Sequence, residues 1–159
     1  MVSIFLYLTF SIHQDALDSE LNVEYIEENM DRVLSIYVNY IYSLNESSDY
    51  DNAIKVSSQL LKIGKTITSD FYIGIAYFRL AKVKKAKEDY LEALQDINEY
   101  IKIHTENADG FTMRGKIKLA MGAQKFACED FEKALKLAIA QELDEDIKEL
   151  TELIKTSCE

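Results

Sequence analysis

The chain contains no proline and no tryptophan, and only five glycines, two cysteines and two histidines among its 159 residues. Without proline, and with few glycines, it has little of the material that forms the tight turns of β-sheet proteins. The two cysteines exclude a dense disulfide framework. The two histidines, His13 and His104, lie far apart, and the common catalytic and metal-binding motifs are absent. We therefore predict that the chain is not an enzyme and holds neither a metal nor a cofactor.

What is present indicates an ordered, helix-rich, soluble protein, since 48% of the residues are hydrophobic and 29% are charged. The formal net charge of −10 argues against a nucleic-acid partner, because such binding depends largely on lysine and arginine at the phosphates. The charge is uneven, and residues 61–140 carry fourteen basic against eleven acidic side chains. A partner with negative groups would be drawn to this middle region.

The first part of the chain contains an apolar run from Val2 to Ile12. It is too short to span a bilayer as a helix, and we predict no transmembrane segment. Its length suits the hydrophobic region of an export signal, although no Lys or Arg precedes it and no clean cleavage site follows. Two hypotheses stay open: a signal, with an exported protein starting near Asp15, or a segment that docks on the core of a cytoplasmic protein.

The stretch from Ile67 to Leu94 has the clearest internal pattern. Its apolar and small residues recur at spacings of three and four, which places them on one face of each of two successive helices. Gly74 and Ala86 are twelve residues apart, and small side chains at facing positions let two antiparallel helices approach closely. The two faces consist of Ile73, Gly74, Tyr77 and Leu80 in the first helix and Ala86, Tyr90, Ala93 and Leu94 in the second.

This pattern resembles the signature of a tetratricopeptide repeat (TPR). The resemblance extends to a first unit, marked by Asp49-Tyr50 and Ala53, and to a third, marked by Gly115 and Ala127. It implies an all-α fold, namely a right-handed α-solenoid of about three TPR-like helical hairpins with a C-terminal capping helix. The expected boundaries are 1–14 for the signal or docking segment, 15–33 for an N-terminal helix, 34–66, 67–107 and 108–140 for the repeats, and 141–159 for the cap.

The units begin at 34, 67 and 108, so their spacings are 33 and 41, and the second unit has seven residues more than the usual repeat of about 34. Seven residues are two helical turns, which lengthen a helix without rotating its face. We expect them at the end of the second helix, which then continues to about His104. The competing placement makes Glu88-Asp89-Tyr90 the turn and lengthens the preceding helix.

In the TPR family the first helices of successive units line a concave groove, and ligand contacts come from their inward residues. The resemblance therefore implies a non-catalytic scaffold that binds a protein or peptide, with aromatic anchors in the middle of the groove. Two alternatives are a homo-oligomerisation or assembly module with a self-filled groove, and an accessory or ligand-sensing domain. In another alternative, some of the aromatic residues pack against the N-terminal helix. The inward positions are Val38, Tyr42, Asn45, Phe71, Tyr72, Ile75, Phe78, Arg79, Asp109, Thr112, Lys116 and Leu119.

Two charged features qualify this prediction. Lys82-Val-Lys-Lys-Ala-Lys87 is basic, and we interpret it as a solvated helix start whose lysines pair with Glu88 and Asp89. TPR members that bind the acidic C termini of chaperones use Lys, Asn and Arg at five groove positions. Because this chain differs at all five, we predict no chaperone cofactor of that kind. The five positions hold Val38, Tyr42, Tyr72, Asp109 and Met113.

The two cysteines fall at matching places in the expected layout. Cys128 lies near the start of the last repeat's second helix, and Cys158 lies just past the end of the capping helix. If these helices are antiparallel, a disulfide can form between them. The alternative is a buried thiol at Cys128 and a loose one at Cys158.

Overall fold

The computed structural model describes Ile26 and residues 28–158. The predicted segment 1–14 and most of the predicted helix 15–33 lie outside this part. The described residues form helices without any β-strand, so the predicted all-α class is confirmed. None of these helices is long and apolar enough to cross a membrane. The helices are α1 (Met30–Glu46), α2 (Tyr50–Thr66), α3 (Asp70–Ala86), α4 (Tyr90–Ile103), α5 (Ala108–Ala120), α6 (Gln124–Ala140) and α7 (Asp144–Cys158).

Short turns with a shared geometry join most of these helices. After α1, the N–H of Asp49 donates to the carbonyl of Leu44 at 2.9 Å across a left-handed residue, Ser48, with φ 59°. The same hydrogen bond, from the N–H of one residue to the carbonyl five residues before it, closes the turns around Thr68, Gly122 and Glu142. It satisfies a carbonyl that the end of a helix leaves unpaired. Because such turns are too short for a crossover, the helices that these four turns join are antiparallel neighbours.

The chain divides into two compact units, residues 1–87 and 88–159. In the described part of the first unit, α1 packs on α2, α2 packs on α3, and α1 also contacts α3. The backbones of α2 and α3 approach closely at Gly64, where an added Cβ would lie 2.8 Å from the backbone nitrogen of Ile73. The core of this unit contains Val33, Tyr37, Ile41, Leu60 and Tyr72 among its buried residues.

In the second unit, α4 packs on α5, α5 on α6, and α6 on α7. The ring of Phe131 in α6 lies directly over Gly115 in α5, and an added Cβ at Gly115 would be 2.3 Å from its Cε1 atom. The last helix, α7, buries Leu150 against a cluster that includes Phe111 and Ala134. We predicted that a C-terminal helix would pack on the last repeat, and α7 packs on α6 in this way.

The second hairpin differs from our prediction in its register. Helix α3 is 17 residues long and ends at Ala86, so the turn falls before Tyr90, as in the competing placement. Ala86 is exposed at the end of α3 and does not belong to the second helix. In the sequence, the small residues twelve apart on the two sides of this turn are Ala81 of the first unit and Ala93 of the second, and each is 0% exposed.

The other two hairpins have the same buried pairs twelve residues apart. They are Ile41 with Ala53 in the first hairpin, and Gly115 with Ala127 in the third. The first helices of the three hairpins begin at Met30, Asp70 and Ala108, whereas we predicted units starting at 34, 67 and 108. The correct register therefore follows from the position of the turns.

Candidate functional site

The predicted groove in the first unit combines side chains from α1 and α3. These helices contact each other, and they run in the same direction because each is antiparallel to α2. Tyr42 on α1 is 54% exposed and Phe71 on α3 is 53% exposed, while Val38 is half-buried. Both residues are among the positions that the family resemblance placed in the groove, so these two helices carry the candidate binding surface.

Tyr72 does not belong to this surface, and its assignment to the groove was wrong. It is only 1% exposed, and its hydroxyl donates a hydrogen bond to the carbonyl of Met30 at the start of α1. Burial, and then the negative charge of Asp31, raise the pKa of Tyr72 to about 12. Tyr72 is therefore the aromatic residue that packs in the core, which was the alternative for this group.

The remaining predicted residues of α3 lie between the core and the surface. Ile75 packs partly against the core of the first unit, and Phe78 is half-buried. Lys82 follows one turn after Phe78 on the same helical face, and it is also half-buried. We missed Lys82 because we placed the key small residue of this helix at Gly74 and not at Ala81.

Two polar groups on this surface are buried without a partner. Both atoms are inaccessible to solvent: the Nε–H of Arg79 on α3 donates no hydrogen bond, and the Oδ1 of Asn45 on α1 accepts none. Burial lowers the pKa of the Arg79 guanidinium. Among the described residues, no carboxylate lies within ion-pair distance of Arg79. An incompletely solvated charge without a counter-charge is energetically costly.

In the second unit, the predicted groove residues on α5 already have partners in the protein. Lys116 forms an ion pair of 2.7 Å with Glu149 of α7, and the hydroxyl of Thr112 donates to the carbonyl of Ala108. Partial burial raises the pKa of the Asp109 carboxyl, and the negative charges of Asp146 and Glu149 raise it further. The positive charge of Lys116 lowers this pKa, but by less. Leu119 is half-buried.

Behind this face, α5 and α6 share a buried cluster of charges. Asp130 is 4% exposed and accepts two hydrogen bonds from Arg114, at 2.9 and 2.6 Å, and an ion pair of 2.7 Å from Lys118. Arg114 also donates to the amide oxygen of Asn98. A cleft of about 540 Å³ opens beside it, and its walls are Gln95, Asn98, Glu99, Ile101, Lys102, Thr105 and Arg114.

This cluster accounts for two cations that the sequence pattern did not explain. Arg114 and Lys118 both form ion pairs with Asp130, so each of the two cations has a counter-charge within contact distance, although they share it. Such pairing is typical of a structural contact, and it leaves no free base or nucleophile. No group of three or more His, Cys, Asp or Glu side chains in the described part of the chain is arranged to hold a metal ion.

A disulfide joins Cys128 of α6 to Cys158 at the end of α7, with a Cα–Cα distance of 5.8 Å. Nearby, the side-chain amide of Gln124 donates to the carbonyl of Ser157 at 2.7 Å. The C-terminal end of α7 is thereby fixed to the beginning of α6.

A scan against models of known protein families gives no match, and a search of curated protein sequences gives none. A search of solved structures finds similar folds. One is the first TPR of Spaghetti (RPAP3) bound to HSP90 peptide SRMEEVD, with a TM-score of 0.55, 18% identity, and coverage of 73% of this chain and 91% of that chain. Another is MamA, residues 41 to the end, from Desulfovibrio magneticus RS-1, with a TM-score of 0.55, 16% identity, and coverage of 98% of both chains.

Proposed function

We propose that this chain, which has the tetratricopeptide-repeat fold, is a non-catalytic scaffold that binds a protein or peptide partner on the inward faces of its first helices. The observation that carries the proposal is the exposure of two aromatic side chains on two contacting, parallel helices of one unit, Phe71 in the first turn of α3 and Tyr42 near the end of α1. Aromatic side chains of this kind dominate the binding energy at protein interfaces.

The comparisons support the general part of the proposal. One structural neighbour with the same fold is bound to a peptide, which agrees with a role in protein interaction. The charges around Asp130 are paired within the protein, which is typical of a structural contact. The cleft beside Arg114 is open to solvent, so it is not the closed apolar pocket that would favour a ligand-sensing domain.

A displayed library of random peptides tests the proposal directly. The full chain is used for selection, and the selected peptides are then measured against a Tyr42→Ser/Phe71→Ser variant. We expect this variant to lose at least about tenfold in affinity, since aromatic anchors typically contribute 2 kcal/mol or more. Leu91→Ser is the matched control, because Leu91 is 69% exposed but lies on α4, outside the proposed surface.

Peptides that bind both variants equally would contradict the assignment of the surface. Light scattering over a concentration series is run in parallel, because the alternative is self-association. If the wild type forms a dimer that the Tyr42→Ser/Phe71→Ser variant does not form, the surface binds a second copy of the chain and the assembly hypothesis replaces the scaffold.

A further inference from the structure

We propose that the bond between Cys128 and Cys158 is a site of reversible thiol–disulfide exchange with a dithiol. Reduction at this site releases the C-terminal half of α7 from α6, while the rest of the second unit stays folded. The observations that lead to this site are the uneven packing of α7, the position of the disulfide on it, and the access of solvent to the two cysteines.

Packing holds the first half of α7 much better than the second half. Leu150 is the only buried residue of this helix, and it lies in the cluster that contains Phe111. Residues 151–158 continue the helix for two more turns, and in this stretch Leu153 and Ile154 reach no more than partial burial. Segments with few buried apolar contacts open locally at a low cost in free energy. The last two turns are therefore the part of α7 that packing retains least.

The disulfide is the strong tether of these two turns. It holds the Cα atoms of Cys128 and Cys158 5.8 Å apart and so fixes the end of α7 to the start of α6. Beside it, the side-chain amide of Gln124 donates to the carbonyl of Ser157, but this hydrogen bond is exposed, and water competes for both of its groups. A short helix without packing is marginal in water. We therefore expect the two turns to separate from α6 once the bond is reduced.

A dithiol can reach the bond in the folded protein. Both cysteines are half-buried, Cys158 is the last residue of its helix, and the neighbouring Gln124 and Thr156 are exposed. In the exchange, a thiolate of the dithiol attacks the Sγ of Cys158, and the Sγ of Cys128 leaves with the electron pair and takes up a proton. The second thiol of the dithiol then displaces Cys158 from the mixed disulfide. Two electrons and two protons pass to the protein, and the dithiol becomes a disulfide.

The released half of α7 belongs to the inward side of the second unit. The ion pair between Lys116 and Glu149 places α7 beside the inward face of α5. Leu153 follows Glu149 by four residues and lies on the same helical face, so it extends this side toward the end of α7. The oxidised chain keeps both halves of α7 beside α5, whereas the reduced chain keeps only the half that contains Glu149. The redox state thereby sets how far the inward side of this unit extends.

The dependence of the reduction rate on urea distinguishes this site from a purely structural disulfide, which a dithiol reaches only after the unit unfolds. The oxidised full chain is treated with dithiothreitol, and the thiols are alkylated and counted by mass spectrometry. Local opening exposes little surface, so we expect the rate to change by less than about twofold between 0 and 1 M urea. Oxidised glutathione under the same conditions is the reference for the exchange chemistry itself.

Two results of this measurement would overturn the proposal. Unfolding exposes much more surface, and a rate that depends on it should rise at least about fivefold per molar urea relative to glutathione. Such a rise means that the bond is reduced only in the unfolded unit. A bond that dithiothreitol does not reduce in the absence of urea leads to the same conclusion.

Limited digestion with trypsin shows which part of the chain opens. Lys155 lies in the half of α7 that reduction should release, and Lys136 is an exposed control on α6. We expect cleavage after Lys155 to be at least about tenfold faster in the reduced wild type, and in Cys128→Ser/Cys158→Ser, than in the oxidised wild type. Cleavage after Lys136 should differ by less than about twofold. Removal of dithiothreitol and reoxidation with oxidised glutathione should restore slow cleavage after Lys155.

Each opposite outcome of the digestion contradicts the proposal. Equal cleavage after Lys155 in the oxidised and reduced protein means that the disulfide does not retain this half of α7. Faster cleavage at both lysines means that the whole unit opens, and a failure to regain protection means that the exchange is not reversible. If the double serine variant does not fold, the reduced wild type alone decides. No partner of the groove is present in these experiments, so their outcome is independent of the proposed function.

Discussion

Replacing Gly115 with alanine tests the contact on which the second unit depends. An alanine Cβ at this position would lie 2.3 Å from Cε1 and 2.6 Å from Cδ1 of Phe131, whereas ordinary contacts begin at 3.4 Å. The ring is 0% exposed and cannot swing into solvent. It would therefore have to move by about 1 Å within a close-packed core, or α5 and α6 would have to separate.

Two opposing effects set the size of the change. Overpacking a core by one methyl group costs about 1–3 kcal/mol. Alanine in a helix interior is favoured over glycine by about 1 kcal/mol, which offsets part of this cost. We therefore expect Gly115→Ala to lower the free energy of unfolding by up to about 2 kcal/mol, or the melting temperature by up to about 8 °C for a chain of this length.

Denaturant unfolding of Gly115→Ala, Phe131→Leu and the double variant separates the two effects. Phe131→Leu alone should destabilise the protein, but in the Gly115→Ala background the smaller side chain should relieve the clash. The coupling between the two changes should then be about 1 kcal/mol or more, in the favourable direction. A Gly115→Ala variant that is more stable than the wild type, with additive effects in the double variant, would refute the close contact.

Three further predictions concern other parts of the fold. Asp130→Asn should cost about 3–5 kcal/mol in unfolding experiments, because it leaves two largely buried cations without their counter-charge. Reducing the disulfide, or replacing Cys158 with serine, should cost about 3–4 kcal/mol for a separation of 30 residues, and amide hydrogen exchange should show the C-terminal end of α7 opening first. Because the folded protein raises the pKa of the Tyr72 hydroxyl to about 12, this group contributes stability below pH 10 that is lost as the pH rises toward about 12. The urea midpoint of the wild type should therefore fall over this pH range, and the fall should be smaller in Tyr72→Phe.

The burial of Tyr72 also changes how the groove must be tested. A variant that replaces Phe71, Tyr72 and Phe78 together would remove a core residue with a hydrogen bond to α1, and its loss of binding would report unfolding. Tyr42 and Phe71 are the correct pair, because both are more than half exposed. From the sequence, Phe71 and Tyr72 are adjacent aromatic residues, and the helical period alone does not decide which of them faces the core.

The sequence by itself determined that the chain is helical and that its helices pair as hairpins, because these properties depend on residues close together in the chain. It did not determine the register of the second hairpin, because Gly74 and Ala81 are seven residues apart and therefore lie on nearly the same helical face. Only the tertiary structure distinguished them, since the position of the turn before Tyr90 selects Ala81. The tertiary structure likewise decided that Asp130 forms ion pairs with two cations of α5, because whether a charge has a partner depends on residues distant in sequence.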